Sequence, residues 1–256
     1  MEHLELHTQT WGSGDKQALL VHGLSSNAAG WWRLGPDLAE LGYTVTAPDL
    51  RSHGESPRSD DLSVVGYAAD VLALGSHWDL VLGHSLGGAV VLACVETDPG
   101  FAKTLILEDP AIKMEDNPLI REWLMDVFNR PLTTEQIALD SPRWHIEDAR
   151  AKAEALRQSG PDTVDRTLNA PTWDGSRILA SLAIPTLLLG ADPTLMALVP
   201  PEVGKAFAAA NSLIKFETIT NGSHSIHRDE YRLFWDRVRD WLTTTSAAEN
   251  ETSDAT

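Results

Sequence analysis

Gly83-His84-Ser85-Leu86-Gly87 joins two stretches of different character. Before it, Trp78-Asp79-Leu80-Val81-Leu82 reads as a short buried strand; after it, Gly88-Ala89-Val90-Val91-Leu92-Ala93-Cys94-Val95 reads as a helix of small and apolar residues. A serine with a glycine two positions to either side fits a sharp strand-to-helix turn, because glycine lets neighbouring backbones approach where a β-carbon would collide. Such a turn lifts Ser85 Oγ clear of the sheet and aims it at whatever binds above.

The same alternation of apolar runs and helical segments extends upstream. Residues 4–10 alternate loosely and predict an edge strand, followed by a turn at Gly12-Ser13-Gly14-Asp15. Residues 17–21 are continuously apolar after Gln17, as in a strand covered on both faces, and end in His22-Gly23-Leu24. A glycine straight after a buried strand lets the next amide point into the space above the sheet. The Leu24 N–H is therefore a candidate oxyanion donor, with the Leu86 N–H as the second. His22 reads as a brace for that loop. A helix is expected over residues 34–41 with Gly42 as its stop, then a strand over 44–49 running into Leu50-Arg51-Ser52-His53-Gly54-Glu55-Ser56. The charges and turn residues of this last loop lock one another. Residues 62–74 read as a helix and 102–107 as a strand ending at Glu108-Asp109-Pro110. Strand and helix in regular succession mark a parallel sheet wrapped by helices.

From residue 111 to about 176 the strand pattern stops. Helical runs at 119–128, 134–140 and 146–159 are broken by Pro131, Pro142 and Pro161. A helical insertion leaving the carboxyl edge of a parallel sheet sits above that edge as a cap. Alternation then resumes, with a strand over 184–192 closing on Asp192, a helix over 201–210 and a strand over 214–219. The loop Asn221-Gly222-Ser223-His224-Ser225-Ile226-His227 follows, and then an amphipathic helix over 229–242 with Phe234, Trp235, Val238 and Trp241 on one side. Residues 244–256 are small, polar and acidic and are expected to be a disordered tail. The chain thus divides into a core at 1–110 and 177–243, a cap at 111–176 and the tail.

A serine in an elbow, an acid and a histidine in a loop stand in chain order at the ends of strands. A serine hydroxyl is a weak nucleophile at neutral pH. It needs an imidazole to take its proton and a carboxylate to fix the imidazole's tautomer and stabilise its cation. This arrangement resembles the α/β-hydrolase superfamily, in particular its small, capped, cofactor-free esterase-like members. His22-Gly23, Asp49-Leu50-Arg51-Ser52-His53-Gly54-Glu55-Ser56, Gly83-His84-Ser85-Leu86-Gly87-Gly88 and the late His224 carry the resemblance over residues 1 to about 243. It implies an α/β fold, a mostly parallel central sheet flanked by helices, with a helical cap inserted after the sixth strand. It also implies Ser85 as nucleophile, His224 as general base, Asp192 as the orienting acid, and the Leu24 and Leu86 amides as the oxyanion hole. Some members carry the acid one strand earlier, which makes Asp109 or Glu108 the alternative. His224 follows Gly222-Ser223 at its loop apex, whereas the rival His227 opens the last helix.

The expected activity is hydrolysis of a carboxylic ester or lactone through an acyl-enzyme. Trp31 and Trp32 beside the oxyanion loop, with Trp123 and Trp144 in the cap, suggest a pocket for an apolar, even aromatic, small molecule. A serine at the nucleophile position argues against haloalkane dehalogenase or epoxide hydrolase chemistry, which uses an aspartate there. A C–C bond hydrolase, a cofactor-free perhydrolase and a ligand-binding receptor on the same scaffold remain alternatives. No cofactor and no metal is expected: a His224–His227 pair lacks a third ligand at a recognisable spacing. The 256 residues carry 20 basic and 37 acidic side chains, a formal charge of −17, which argues against nucleic acid or an anionic membrane as partner. A cytoplasmic monomer or homodimer is expected. The single cysteine, Cys94, allows no disulfide within one chain.

Overall fold

The computed structural model describes the backbone of residues 3–253 and the side chains of residues 3–245. The first part of the core contains β1 (Thr8–Trp11), β2 (Lys16–Val21), α1 (Leu34–Glu40), β3 (Tyr43–Pro48), α2 (Val64–Ala73), β4 (Leu80–His84), α3 (Leu86–Thr97) and β5 (Leu105–Glu108). A two-stranded ribbon, β6 (Lys113–Met114) against β7 (Trp173–Asp174), closes the neck of the cap. Between its strands lie α4 (Pro118–Asp126), α5 (Thr134–Asp140) and α6 (Ile146–Leu168). The core resumes with α7 (Ser176–Ala180), β8 (Thr186–Gly190), α8 (Pro201–Ala210), β9 (Ile214–Thr218), α9 (Ile226–Asp229) and α10 (Tyr231–Ser253).

Seven strands form one sheet in the order β1-β3-β2-β4-β5-β8-β9. β1 is antiparallel to β3 and every other pairing is parallel. Side chains of a strand alternate between faces, and the apolar runs use both. Leu19, Val21, Val81, Leu105 and Leu107 pack under α2 and α3, whereas Leu20, Leu80, Leu82 and Ile106 pack with Leu34, Leu38, Phe234 and Val238 of α1 and α10. Strands buried on both faces are therefore apolar throughout, and this is why periodicity located them. A smaller cluster, Ile137, Ala149, Ala153 and Leu156, holds α5 to α6 inside the cap.

Register sets the position of the site. His84 pairs with Glu108, and Glu108 with Leu189, so Ser85 and Asp109 each leave the same carboxyl edge at neighbouring positions. α6 is bent at Gly160 (φ 70°), the one residue inside it without helical geometry, and Pro161 starts its second half without needing an amide partner.

Three expectations are corrected. Among the described residues five strands, not six, precede the cap, one for each apolar stretch read upstream of it, and the first is shorter than expected: residues 4–7 lie outside β1, with the Leu4 and His7 amides bonded to Asp70 and to Ser56 Oγ. α10 runs on to Ser253, through most of the segment expected to be a disordered tail. The Thr243, Thr244 and Thr245 hydroxyls donate to the Arg239, Asp240 and Trp241 carbonyls one turn back, so these three side chains do not compete for the helix's amides. Residues 254–256 of that tail lie outside the described residues. Finally, β4 includes Gly83 and His84, so the strand reaches the serine itself. Among the described residues no helix is long and apolar enough to cross a membrane.

Candidate active site

Ser85 occupies the turn between β4 and α3 with φ 54° and ψ −118°, a backbone conformation that side-chain-bearing residues rarely adopt. The packing around it leaves no room for relief. A β-carbon on Gly83 would lie 2.6 Å from the Gly87 carbonyl oxygen, and one on Gly87 would lie 2.1 Å from that of Val21. Both glycines are therefore steric requirements of the elbow. The Ser85 amide donates to the Glu108 carbonyl (3.0 Å), which ties the turn to β5.

His224 Nε2 lies 2.8 Å from Ser85 Oγ, and His224 Nδ1 lies 2.7 Å from Asp109 Oδ2. The Asp109 carboxylate accepts from Nδ1–H, which fixes the tautomer and leaves Nε2 as acceptor for the serine proton. Asp109 itself sits at φ 37°. Its oxygens also accept from the Leu198 amide (2.9 Å) and the Val199 amide (2.9 Å). His224 is held from the other side by His84 Nε2, which donates to its carbonyl oxygen (2.8 Å).

The acid read from the sequence, Asp192, is thus displaced by the alternative, Asp109. Asp192 lies two residues beyond β8 and turns outward, accepting from Thr194 N (2.9 Å), Thr194 Oγ1 (2.7 Å) and Asn221 N (2.9 Å). Hydrogen bonds from Thr194 and then Asn221 hold its carboxyl below the usual carboxylate range. It shapes the histidine loop by backbone bonding and does not reach the imidazole. The other alternative acid, Glu108, belongs to His227: both its oxygens lie 2.8–2.9 Å from His227 Nδ1, and Oε1 also accepts the His227 amide (2.9 Å). The two histidines therefore answer to different carboxylates.

Leu24 and Leu86 line the same cavity as Ser85, and neither amide has a hydrogen-bond partner among the described residues. The Leu24 loop is pressed against the elbow: a β-carbon on Gly23 would lie 2.8 Å from His84 Nδ1 and 3.0 Å from Ser85 Cβ. Two buried histidines hold it there. His22 Nδ1 donates to the Gly23 carbonyl while its Nε2 accepts from Leu50 N (3.0 Å), and His53 Nε2 accepts from Ser25 N (3.1 Å). Burial pushes the His22 imidazole down to about 4 and that of His53 to about 3, so both are neutral at pH 7. Asp49 caps the following turn through Ala28 N (2.7 Å), and Arg51 forks onto Asp70 at 2.6 and 2.7 Å.

The cavity above Ser85 holds about 780 Å³. Trp123 and Trp144 of the cap line it, and Trp123 stands edge-on to the His224 ring at 5.5 Å. Trp31 and Trp32 do not line it, which corrects their expected role. Trp31 is 1% exposed and packs between the sheet and the His227 ring (4.7 Å), a consequence of its place in the short turn before α1. Trp32 fastens the cap, donating from Nε1 to Asp148 Oδ1 of α6 (2.9 Å).

Sequence reasoning missed Lys152 and Arg228, both of which line the cavity. Lys152 carried no motif; Arg228 stands four residues after His224, and that nearness in sequence was its only signal. For a metal, the one cluster with suitable spacing among the described residues is His84, Glu108 and His227, whose ligand atoms lie within 4.8 Å of one another. These groups already bond to each other and to the His224 carbonyl.

The residues between 18 and 237 match the model of the Alpha/beta hydrolase family. Lipase LipV from Mycobacterium tuberculosis is 36% identical over 172 residues, a match spanning 65% of this chain and 60% of LipV. A pimeloyl-[acyl-carrier protein] methyl ester esterase from Klebsiella pneumoniae is 33% identical over 204 residues, 71% of this chain and 76% of that protein. Among solved structures, a thermophilic esterase from Thermogutta terrifontis superposes with a TM-score of 0.74 at 25% identity, covering 94% of each chain. With the family match covering most of the chain, this protein belongs to the Alpha/beta hydrolase family.

Proposed function

We propose that the protein is a serine hydrolase that cleaves a carboxylic ester or lactone of an apolar small molecule through an acyl-enzyme on Ser85. The observation that carries this reading is the unbroken chain from Ser85 Oγ through His224 to Asp109, at 2.8 and 2.7 Å, opening beside two unpaired amides. Asp109 takes the role of the orienting acid. The names of the relatives, a lipase and a methyl ester esterase, agree with an ester as substrate.

In the first half-reaction Ser85 Oγ bonds to the substrate carbonyl carbon as His224 Nε2 takes the serine proton. The Leu24 and Leu86 N–H groups donate to the developing oxyanion, and Asp109 stabilises the imidazolium. Collapse breaks the bond to the alcohol oxygen, which leaves with the proton from His224. A water then gives its proton to His224 and attacks the acyl carbon, releasing the acid and restoring Ser85. A lactone follows the same steps, and its alcohol stays attached to the product.

The test is intact-protein mass spectrometry after incubation with an organophosphonate serine probe. One adduct is expected on the wild type and none on Ser85→Ala. A folded wild type that takes no adduct overturns the reading and favours a binding protein on this scaffold.

A further inference from the structure

Of the basic side chains that line the cavity, Lys113, Arg130 and Arg143 pair with carboxylates, whereas Arg228 and Lys152 make no ion pair among the described residues. Arg228 is 4% exposed, lines the cavity and makes one side-chain hydrogen bond, from a terminal nitrogen to Ser26 Oγ (3.0 Å). Its Nε is buried without a partner, and its guanidinium lies over the Trp144 ring at 4.8 Å. Lys152 reaches down from α6 and donates from Nζ to the Ser25 carbonyl (2.8 Å) and to Ser25 Oγ (2.9 Å). Among the described residues, neither cation has a carboxylate oxygen within 4.0 Å.

The acidic side chains near Arg228 are all engaged elsewhere. Asp148 accepts from Trp32 Nε1, Arg33 and the His145 amide; Asp229 accepts from Trp144 Nε1 and from Ser223; Glu108 accepts from His227. Burial and the neighbouring Arg228 pull the Lys152 ammonium down to about 7, and burial also lowers the Arg228 guanidinium. Two basic side chains held together under a cap, one with an orphaned donor and neither bonded to a carboxylate, form a site with donors left for an acceptor. The serines they bond, Ser25 and Ser26, directly follow Leu24, so the site adjoins the oxyanion hole. In a protein of net charge −17, a cationic pair at this one place is a local feature of the pocket and no part of a basic surface.

We infer that Arg228 and Lys152 form a carboxylate-binding subsite beside Ser85, so that the preferred substrate is a short ester bearing a free carboxylate. This rests on the serine hydrolase reading above and changes one part of it: the substrate keeps an apolar chain, taken by the cap walls, but carries a charged end, taken by the two basic side chains. An Arg fork and a Lys point charge together suit a planar carboxylate, whose two oxygens can be shared between them.

The test compares monoethyl succinate with ethyl butanoate, which differ by a carboxylate in place of a methyl group. For the wild type, kcat/KM is expected to favour the anionic ester by about tenfold or more. Arg228→Gln and Lys152→Met should each lower that ratio by about tenfold, and Arg228→Lys should restore part of it. A ratio near one in the wild type, or a ratio that neither substitution moves, overturns the inference. Should Arg228→Gln fail to fold because its Ser26 contact is lost, Lys152→Met on the cap carries the comparison. Succinate binding to Ser85→Ala by calorimetry separates the two readings. Succinate that binds Ser85→Ala and is lost with Lys152→Met, in a wild type that turns over no ester, upholds the subsite and overturns the hydrolase. Esters hydrolysed without any succinate binding do the reverse.

Discussion

Replacing Asp109 by asparagine tests the site at its most constrained point. The carboxylate accepts from His224 Nδ1 and Leu198 N through Oδ2, and from Val199 N through Oδ1. Asparagine has a single oxygen, so its NH₂ must face one of these donors. With the oxygen kept on Val199, the NH₂ points at His224 Nδ1 and forces the imidazole proton onto Nε2, where it can no longer accept the serine proton. The loss expected from a wrong tautomer is about 10⁴ in kcat, as the same change produces in the serine protease triad. That factor corresponds to about 5 kcal/mol of transition-state stabilisation. The Leu198 amide is left unpaired, which costs about 1–3 kcal/mol of stability, or several degrees in Tm for a chain of this size. The assay is kcat/KM on an activated ester with thermal unfolding alongside, and Asp192→Asn as control. Among the described residues the Asp192 carboxylate accepts hydrogen bonds from Thr194 and Asn221 and none from His224, so its variant should stay within about threefold of the wild type. A tenth or more of the activity surviving in Asp109→Asn, or a thousandfold loss in Asp192→Asn, would refute the assignment.

Two further outcomes follow from the loop that carries Leu24. Gly23→Ala places a methyl group 2.8 Å from His84 Nδ1 and should push the Leu24 amide off the oxyanion. Removing one such donor costs about 10²–10³ in kcat, with KM little changed; wild-type kcat in a folded Gly23→Ala would show that Leu24 donates nothing. The second concerns acid: the unfolded chain protonates His22 near 6.5, whereas the folded chain resists until about 4. Stability is therefore complete above pH 6.5 and is lost as pH falls toward 4, about 3 kcal/mol from His22 alone. Urea unfolding at pH 7 and pH 4.5 measures this, and equal stabilities at the two values would contradict a neutral, buried His22.

The sequence by itself determined the sheet, the elbow and two of the three candidate residues. Continuous apolar runs such as residues 18–21 fit strands buried on both faces, and the glycines flanking Ser85 fit the close backbone approach its turn requires. Both signals are local, so they survive without coordinates. The acid was not local. Asp109 and Asp192 each follow a strand, by one residue and by two, and only the tertiary placement separates them: Asp109, at φ 37°, turns toward His224, while Asp192 is taken by its own loop. The tryptophans show the same limit. Trp31 and Trp32 adjoin the oxyanion loop in sequence, yet one lies in the core and the other clamps the cap. Lys152 and Arg228 lie 76 residues apart and meet only because α6 closes over the end of the sheet. What a strand or turn requires of its own residues is written along the chain; what a cavity offers a substrate depends on side chains that tertiary packing brings together from distant segments.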